Sequence, residues 1–144
     1  MKILKIIAIL MLVYVGIVVA FESLLGLLQP QGDDNLVLTS TDAAGSEYNR
    51  VLTRIKVDDH LYVAVNHWPR AWYHRIQDNP LVRITFAGKT ASYKAVTVTD
   101  EAEAERLWQA RPSSTVFRIL TGFPPRYFVR MEPVDTASGT VEVP

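Results

Sequence analysis

The N-terminal part of the chain is an apolar run that is long enough to cross a lipid bilayer. Between Ile6 and Leu28 the one charged residue is Glu22. A helix over this run rises about 34 Å at 1.5 Å per residue, and the hydrocarbon core of a bilayer is about 30 Å thick. We therefore predict that residues 1–28 form a single-pass transmembrane anchor and that the remaining residues fold separately.

A cleaved signal peptide is the alternative interpretation of this run. Residues 18–20, Val-Val-Ala, are small enough to serve as a cleavage site. The apolar run continues beyond this point through residues 23–28, whereas a signal peptide has a shorter apolar region that ends near its cleavage site. The sequence therefore favours a retained anchor.

The charges on either side of the run indicate its orientation. Lys2 and Lys5 precede it, Asp33 and Asp34 follow it, and the next basic residue is Arg50. Basic residues that flank a membrane helix are found mostly on its cytoplasmic side. We expect a cytoplasmic N-terminus and a soluble domain outside the cytoplasm.

Composition narrows the chemistry that is open to the rest of the chain. The 144 residues include 15 basic and 15 acidic residues, and a formal net charge of zero gives no reason to expect a nucleic-acid partner. The absence of cysteine excludes disulfides, thiolate nucleophiles and cysteine-ligated zinc. About 110 residues follow the apolar run, which is enough for one modest hydrophobic core.

These residues divide into a linker, one domain and a tail. Residues 29–35 are polar and contain turn formers, residues 36–134 carry the regular patterns, and residues 135–144 have the low apolar content of a flexible tail. Apolar and β-branched residues predict strands over residues 36–41, 51–57, 61–65, 82–86, 90–98 and 127–131. Asp58-Asp59 forms a turn, so we expect a hairpin over residues 51–65.

A helix is predicted between the hairpin and the next strand. Pro69 suits its first turn, and Asn79-Pro80 ends it. Trp68, Trp72 and Ile76 recur every four residues, so we expect them to share one face that packs on the sheet.

A second helix and the order of the strands complete the pattern. Asp100 and Glu103 match a capping box that opens this helix, and residues 116–120 form a short helical turn after it. Successive hairpins favour antiparallel pairing. The pattern therefore indicates a small antiparallel barrel with α-helices packed outside it.

Residue spacing does not support several types of catalytic and metal site. His60, His67 and His74 lack the spacing that places metal ligands on one helix face. The sequence contains neither a Gly-x-Ser-x-Gly elbow nor a glycine-rich phosphate loop after a strand. We predict no metal site, and spacing assigns no catalytic residue.

A set of arginines allows two interpretations. Convergent guanidinium groups could hold a phosphate or carboxylate through paired hydrogen bonds. An ordinary solvated surface is the alternative, because many aspartates lie close by in the sequence, and spacing alone favours it. The arginines concerned are Arg50, Arg54, Arg70, Arg75 and Arg83.

The middle of the chain resembles a known family. Residues 70–74, Arg-Ala-Trp-Tyr-His, follow a strand and open a helix that ends in Asp-Asn-Pro at residues 78–80. A strand pair, an acidic helix start at residues 99–101 with Leu-Trp at 107–108, and a closing strand at 127–133 come next. This order resembles the deazaflavin-dependent nitroreductase family, also described as nitroreductase/quinone reductase-like proteins, over residues 36–134.

The resemblance implies a split β-barrel oxidoreductase whose cofactor is a deazaflavin (coenzyme F-420) or FMN. The cofactor would lie beside the hairpin of residues 51–65 and the helix of residues 70–79. Tyr73 and His74 lie near the expected cleft, but neither is assigned as a catalytic residue. The predicted cofactor-binding residues are Arg50, Arg54, Asn66, Trp72, Tyr73 and Arg75.

The expected fold class is therefore mainly β with α (α+β). It is a small antiparallel split β-barrel with external helices, preceded by one N-terminal transmembrane helix. The expected partners are the lipid bilayer, through that helix, and a quinone or another small lipophilic substrate. A homodimer is left open.

A degenerate barrel is the second hypothesis, so the sequence leaves open whether the chain is an enzyme. Members of the family carry a Gly-Arg-x-Ser-Gly turn where residues 43–47 are Ala-Ala-Gly-Ser-Glu, and a Gly-Gly loop where residues 66–69 are Asn-His-Trp-Pro. A domain outside the cytoplasm would also be separated from cytosolic reduced deazaflavin. These differences favour a split barrel without a redox cofactor that acts as a membrane-associated binding or interaction module.

Overall fold

The computed structural model describes residues 2–27, 32–66, 68 and 70–134 of the chain. Five features predicted from the sequence fall partly or wholly outside the described residues. They are the anchor at positions 1 and 28, the linker at positions 29–31, His67, Pro69 and the tail at 135–144.

The N-terminal helix α1 runs over Lys2–Leu27. Its apolar side chains are largely exposed. Within the described residues it is the one helix long and apolar enough to cross a membrane, over Lys2–Leu25. The apolar run thus forms a continuous helix with no protein packed around most of its length.

The domain is built on one antiparallel sheet of seven strands. They are β1 (Asn35–Thr41), β2 (Glu47–Thr53), β3 (Ile55–Val57), β4 (His60–Val65), β5 (Leu81–Phe86), β6 (Lys89–Thr97) and β7 (Tyr127–Pro133). Their order in the sheet is β2-β1-β5-β6-β7-β4-β3, and every neighbouring pair is antiparallel. Three helices join them: α2 (Ala71–Asp78), α3 (Glu101–Ala110) and α4 (Thr115–Leu120).

The sheet curls so that its two edges meet. β2 and β3 are the opposite edge strands, yet only Arg54 separates them in the chain. A single residue spans less than 4 Å, so the two edges must lie side by side. The architecture is an antiparallel split barrel with external helices, and the predicted fold class is confirmed.

One strand that the sequence predicts as continuous is divided into two in the structure. The sequence predicts a single strand over residues 51–57, but the strand breaks at Arg54. The backbone N–H of Arg54 donates to the carbonyl of Asp34 at 2.7 Å, because the chain crosses here from one sheet edge to the other. The hairpin itself is confirmed as β3 and β4, with Asp58 and Asp59 both at positive φ in the turn.

The main core lies between the inner face of the sheet and α2. Leu38, Val63 and Val129 are fully buried on the sheet, and Trp72 and Ile76 are buried on the helix. The predicted docking face is therefore correct for these two helical residues. It is wrong for Trp68, which precedes the helix and is 46% exposed.

The helix begins later than predicted because of the backbone at Arg70. That residue is extended, with φ −97° and ψ 163°, and it caps the helix that starts at Ala71. Trp68 lies before this cap, and its indole N–H donates to the carbonyl of Thr121 at 3.0 Å. Trp68 thus contacts the segment after α4.

A second, smaller core lies on the other face of the sheet, under α3. Ile55, Tyr62, Leu107 and Phe128 form it. The predicted helix start is confirmed, since the Asp100 side chain accepts a hydrogen bond from the N–H of Glu103 at 2.7 Å. β4 is therefore buried on both faces.

α4 packs between the domain and α1. The rings of Phe21 in α1 and Phe117 in α4 meet edge to face, with their centroids 6.2 Å apart. Arg70 donates to the carboxylate of Glu22 at 2.7 Å. These contacts hold the C-terminal half of α1 against the domain.

A partly buried ion pair ties α3 to the sheet. Glu103 accepts hydrogen bonds from Arg130 at 2.7 Å and 3.0 Å and from the hydroxyl of Tyr62 at 2.8 Å. Burial raises the pKa of Glu103, but the hydrogen bonds from Arg130 and Tyr62 outweigh it and hold the pKa below its ordinary value of 4.5. The charged form of Glu103 therefore stabilises the folded state.

Glu103→Gln should lower the free energy of unfolding at neutral pH by about 1.5–3 kcal/mol, the range for hydrogen bonds to a charged group. Because the folded-state pKa is depressed, this stabilisation is fully present above the ordinary value of 4.5 and is lost as pH falls through the lower folded-state pKa. Denaturant unfolding across the acidic range measures it. The exposed Glu105→Gln on the same helix is the control, and a wild-type–mutant difference that does not shrink in acid would contradict the expectation.

Candidate functional site

A cavity of about 520 Å³ opens where the two sheet edges meet the turn that joins α3 to α4. Small-molecule sites commonly have volumes of about 300–1,000 Å³. Residues 50–53 of β2 and Ile55 of β3 form one side, and residues 111–114 of the turn form another. Phe117 of α4 and Leu25 of α1 complete the wall, so the cavity lies next to the N-terminal helix.

The lining of the cavity combines apolar walls with positive charge. Leu52, Ile55 and Phe117 are among its apolar residues. Its polar side chains are Arg50, Thr53, Asn66, Arg111, Ser113, Ser114 and Arg126. Among the described residues that line it there is no aspartate or glutamate, so the cavity suits an anionic group joined to an apolar one.

Arg126 is a partly buried arginine in the cavity lining. Its Nε donates to Oδ1 of Asn66 at 2.8 Å, and an Nη donates to the carbonyl of Arg111 at 2.5 Å. Its guanidinium lies over the rings of Trp108 and Phe128, at 4.6 Å and 4.8 Å from their centroids. This packing holds the guanidinium in the wall of the cavity.

The charge of Arg126 is not neutralised by an acid in the described part of the chain. Among the described residues, no Asp or Glu carboxylate oxygen lies within 4.0 Å of its guanidinium. Burial, with a smaller contribution from the charge of Arg111, lowers the pKa of Arg126 to about 10. Arg126 remains a cation at neutral pH, in a place where a bound anion would stabilise it.

Arg50 approaches the same cavity from the sheet. It lies on β2, opposite Leu38 of β1. Burial and the charge of the neighbouring Arg70 lower the pKa of Arg50. Arg111 is exposed at the rim. The barrel closure and the α3–α4 turn thus bring Arg50, Arg111 and Arg126 to one cavity.

Two of the six predicted cofactor residues line this cavity, namely Arg50 and Asn66. Trp72 and Tyr73 are buried in the main core. The ring of Tyr73 stacks on that of Tyr127, with the centroids 5.5 Å apart and the planes at 7°. These two aromatic residues contact the sheet, and they are not among the described lining residues.

Arg54 and Arg75 make their contacts elsewhere. Arg54 lies over the ring of Phe86 at 4.1 Å and forms an exposed ion pair with Asp34. Arg75 lies over the ring of Tyr48 at 4.1 Å, and its Nε donates to the hydroxyl of Ser40 at 3.1 Å. Their role at a cofactor remains a prediction from the sequence.

The other arginines of the predicted set are engaged in ion pairs. Arg83 forms two hydrogen bonds of 2.7 Å with the carboxylate of Glu47, and both side chains are about half exposed. Arg70 pairs with Glu22 of α1. The five arginines therefore do not converge on one point.

His60 and His74 are not among the residues that line the cavity. Nδ1 of His60 is 2.8 Å from the carbonyl of Asp58 in the hairpin turn, and His74 is exposed on α2. Within the described residues no group of three or more His, Cys, Asp or Glu side chains could hold a metal ion. His67 is outside the described residues.

Sequence reasoning missed Arg111 and Arg126. Arg111 stands in an Arg-Pro-Ser-Ser turn after a helix, and Arg126 follows two prolines. The one sequence signal for these two residues was that each is a basic residue in a Pro- or Ser-containing turn beside a predicted strand of the barrel. Their meeting with Asn66 depends on the pairing of Val65 with Tyr127 between β4 and β7, which spacing does not reveal.

Comparison with solved structures defines the fold class as the split barrel. The chain is similar to an F420-H2 dependent reductase (19% identity over 73% of this chain and 99% of that one, TM-score 0.55). It is also similar to a pyridoxamine 5'-phosphate oxidase-related, FMN binding protein from Nostoc punctiforme (16%, 71% and 71%, TM-score 0.54). A structure described as a domain-swapped dimer is a third (17%, 71% and 82%, TM-score 0.58).

The sequence itself gives the family. The model of the F420H(2)-dependent quinone reductase family matches residues 15–117, which is most of the chain. The chain belongs to this family, and the resemblance seen in the sequence is confirmed. Membership supports an oxidoreductase with a deazaflavin or flavin cofactor. No curated protein matches the sequence significantly.

Proposed function

We propose that the protein is a membrane-anchored oxidoreductase that binds a deazaflavin or flavin in the cavity between β2, β3 and the α3–α4 turn. Family membership supports the redox chemistry. The observation that carries the site is Arg126, a partly buried cation with no acidic partner in the described chain, in the wall of a cavity whose described lining contains no acids. The anionic part of such a cofactor would supply the missing negative charge.

The residues present fit a cofactor of this kind. Arg50, Arg111 and Arg126 would hold its phosphate, and the hydroxyls of Ser113 and Ser114 lie in the same lining. Asn66 orients Arg126 by accepting its Nε–H. When bound, the cofactor supplies hydride transfer, while the protein supplies orientation and electrostatic stabilisation.

The apolar part of the lining supports a quinone as the substrate. Leu25, Leu52 and Phe117 provide walls that exclude water from one side of the cavity. An aromatic head group with a lipid tail would find both an apolar wall and a route along α1. A lipophilic quinone is thus the substrate class that we propose.

Cofactor binding and turnover test this proposal together. Titration of the full-length protein in mild detergent with coenzyme F-420 or with FMN should quench its tryptophan fluorescence saturably. Trp108 lies against Arg126, so a cofactor held by Arg126 would be close to this indole. With the reduced form of the bound cofactor and a lipophilic quinone, cofactor and quinone should be consumed one for one. A folded protein that binds neither cofactor would favour the degenerate barrel.

One observation favours that second candidate. Residues 43–47, which stand where the family carries its Gly-Arg-x-Ser-Gly turn, contain no basic residue, and the carboxylate of Glu47 is held by Arg83. A split barrel that uses this turn for an ion pair could serve as a membrane-associated binding module. The same titration distinguishes the two candidates.

The anchor is expected to be retained in the membrane. Because α1 carries one acidic residue in a long apolar helix, the full-length protein should stay in the membrane fraction after carbonate and high-salt washing. Mass analysis of the mature N-terminus is the control, and a chain beginning at Phe21 would show signal cleavage.

The charge bias predicts a domain outside the cytoplasm, and a reporter active only there, fused after Pro144, checks it.

A further inference from the structure

α4 and the turn after it present an apolar surface to the outside, directly beside α1. Val116, Ile119 and Phe123 are 67%, 44% and 54% exposed. Val116 and Ile119 are three residues apart on α4 and share one face of it, and Phe123 lies in the turn that follows the helix. Phe123 also has a φ of 54°, a conformation that bulky residues seldom adopt, so the backbone holds this ring outward against a local strain.

This surface is fixed at a definite height along α1. The hydroxyl of Tyr14 donates to the carbonyl of Ile119 at 2.8 Å. Val18 lies against Gly122, where an added Cβ would come within 3.1 Å of the valine side chain. The absence of a side chain at Gly122 therefore lets the turn after α4 approach α1 closely, four residues from Tyr14.

The contact with Tyr14 determines how deep α4 lies. The apolar segment Lys2–Leu25 has 24 residues and is about 36 Å long, enough to cross a hydrocarbon core of about 30 Å. The part from Lys2 to Tyr14 is about 18 Å long, which is too short to cross alone. If α1 spans the bilayer, Tyr14 lies well inside it, and so does the backbone of Ile119 that it contacts.

We propose that α4 and Phe123 are immersed in the acyl-chain region of the bilayer beside α1, so that the domain is seated in the membrane and not merely tethered to it. This inference rests on the anchor in the proposed function. Lipid is the occupant because the surface of Val116, Ile119 and Phe123 is continuous with the exposed apolar surface of α1. Burying such side chains in an apolar medium is favourable.

The one charge on α4 does not oppose immersion. Arg118 is the only charged residue of Thr115–Leu120. Its guanidinium lies near the rings of Phe123 and Trp108, 5.5 Å and 5.8 Å from their centroids, and long basic side chains can keep their charge at the interface while their stems lie in apolar surroundings.

Immersion gives the cavity a border with the bilayer. Phe117 of α4 and Leu25 of α1 both line the cavity. With α4 in the acyl chains, these two residues form its membrane side. A lipophilic substrate then enters laterally from the bilayer without crossing water.

Depth measurements on single-cysteine variants test the immersion, since the natural chain has no cysteine. Val116→Cys, Ile119→Cys and Phe123→Cys in the full-length protein are labelled with an environment-sensitive fluorophore and reconstituted into phosphatidylcholine vesicles. Leu81→Cys is the matched control, because Leu81 is an equally exposed apolar residue. If the β1–β5 register is continued, Leu81 lies level with Thr41. It is therefore at the C-terminal end of β1, and Asn35 is at the other end of that strand.

The three labels should be blue-shifted in vesicles, should lose most of their fluorescence to acyl-chain nitroxide lipids, and should resist aqueous iodide. The Leu81 label should behave in the opposite way. Iodide quenching of all four labels in protein that floats with vesicles would overturn the immersion but leave the anchor standing. Labels shielded from both quenchers would mean that a second copy covers the surface, which also overturns it. Failure to float would remove the anchor as well, and the cofactor titration would be unaffected.

Discussion

Trp72→Ala should lower the free energy of unfolding by about 3–5 kcal/mol, the usual range for truncating a buried large aromatic side chain. The indole is 4% exposed and lies in the main core, edge to face with the ring of Tyr73 at 6.0 Å. Removing it leaves a cavity between α2 and the sheet that the surrounding strands are too rigid to fill. Denaturant unfolding of the full-length protein in mild detergent, followed by circular dichroism, measures the change.

Trp68→Ala is the matched control for this substitution. Trp68 is the same residue type, four positions earlier, but it is half exposed and has one hydrogen bond, to the carbonyl of Thr121. Its removal should lower the free energy of unfolding by about 1 kcal/mol. Equal losses for Trp68 and Trp72 would show that α2 does not dock through Trp72.

The parts of the fold that the sequence predicts are those that depend on local patterns. Alternation along residues 55–65 and the Asp58-Asp59 turn determine the β3–β4 hairpin, and Asp100 caps α3 as its position before an acidic helix start indicates. Both features involve residues that are close in sequence. Their energetics are largely independent of how the barrel closes.

The break at Arg54 has no such local signal. Apolar alternation continues from Val51 through Val57, and the chain interrupts it only because the two edges of a curled sheet must be joined there. The position of Trp68 is a similar case. Its four-residue spacing to Trp72 fits a helix, but the extended backbone at Arg70 starts the helix later.

The candidate site was predicted only in part, because some of its residues meet through strand pairing that is distant in sequence. Arg50 lies in β2 and Asn66 directly follows β4, and both line the cavity, while their part in cofactor binding stays a prediction. Arg126 reaches Asn66 across 60 positions of sequence, and only the pairing of β4 with β7 brings the two together. Arg54 and Arg75 carry the right charge, but side-chain packing on Phe86 and Tyr48 directs them elsewhere.

Arg50→Ala should weaken cofactor binding by about 1.5–3 kcal/mol, or about ten- to a hundredfold in Kd, since it removes a charge-assisted hydrogen bond to an anion in a partly buried site. Arg111→Ala, at the exposed rim, should weaken it in the same direction by a smaller factor because solvent screens its charge. Thermal unfolding of both variants shows that the fold is retained. Arg111→Ala is expected to retain the fold, because the side chain of Arg111 is exposed.

The comparison of Arg50→Ala with Arg75→Ala tests most directly whether the cavity is the cofactor site. Both substitutions remove one guanidinium, but Arg50 lines the cavity, whereas Arg75 contacts Ser40 and Tyr48. We predict that fluorescence titration with coenzyme F-420 or FMN gives a Kd raised about ten- to a hundredfold for Arg50→Ala and a nearly unchanged Kd for Arg75→Ala. Wild-type affinity in a folded Arg50→Ala protein, with the loss found in Arg75→Ala instead, would contradict the assignment of the cavity and support the residue predicted from the sequence.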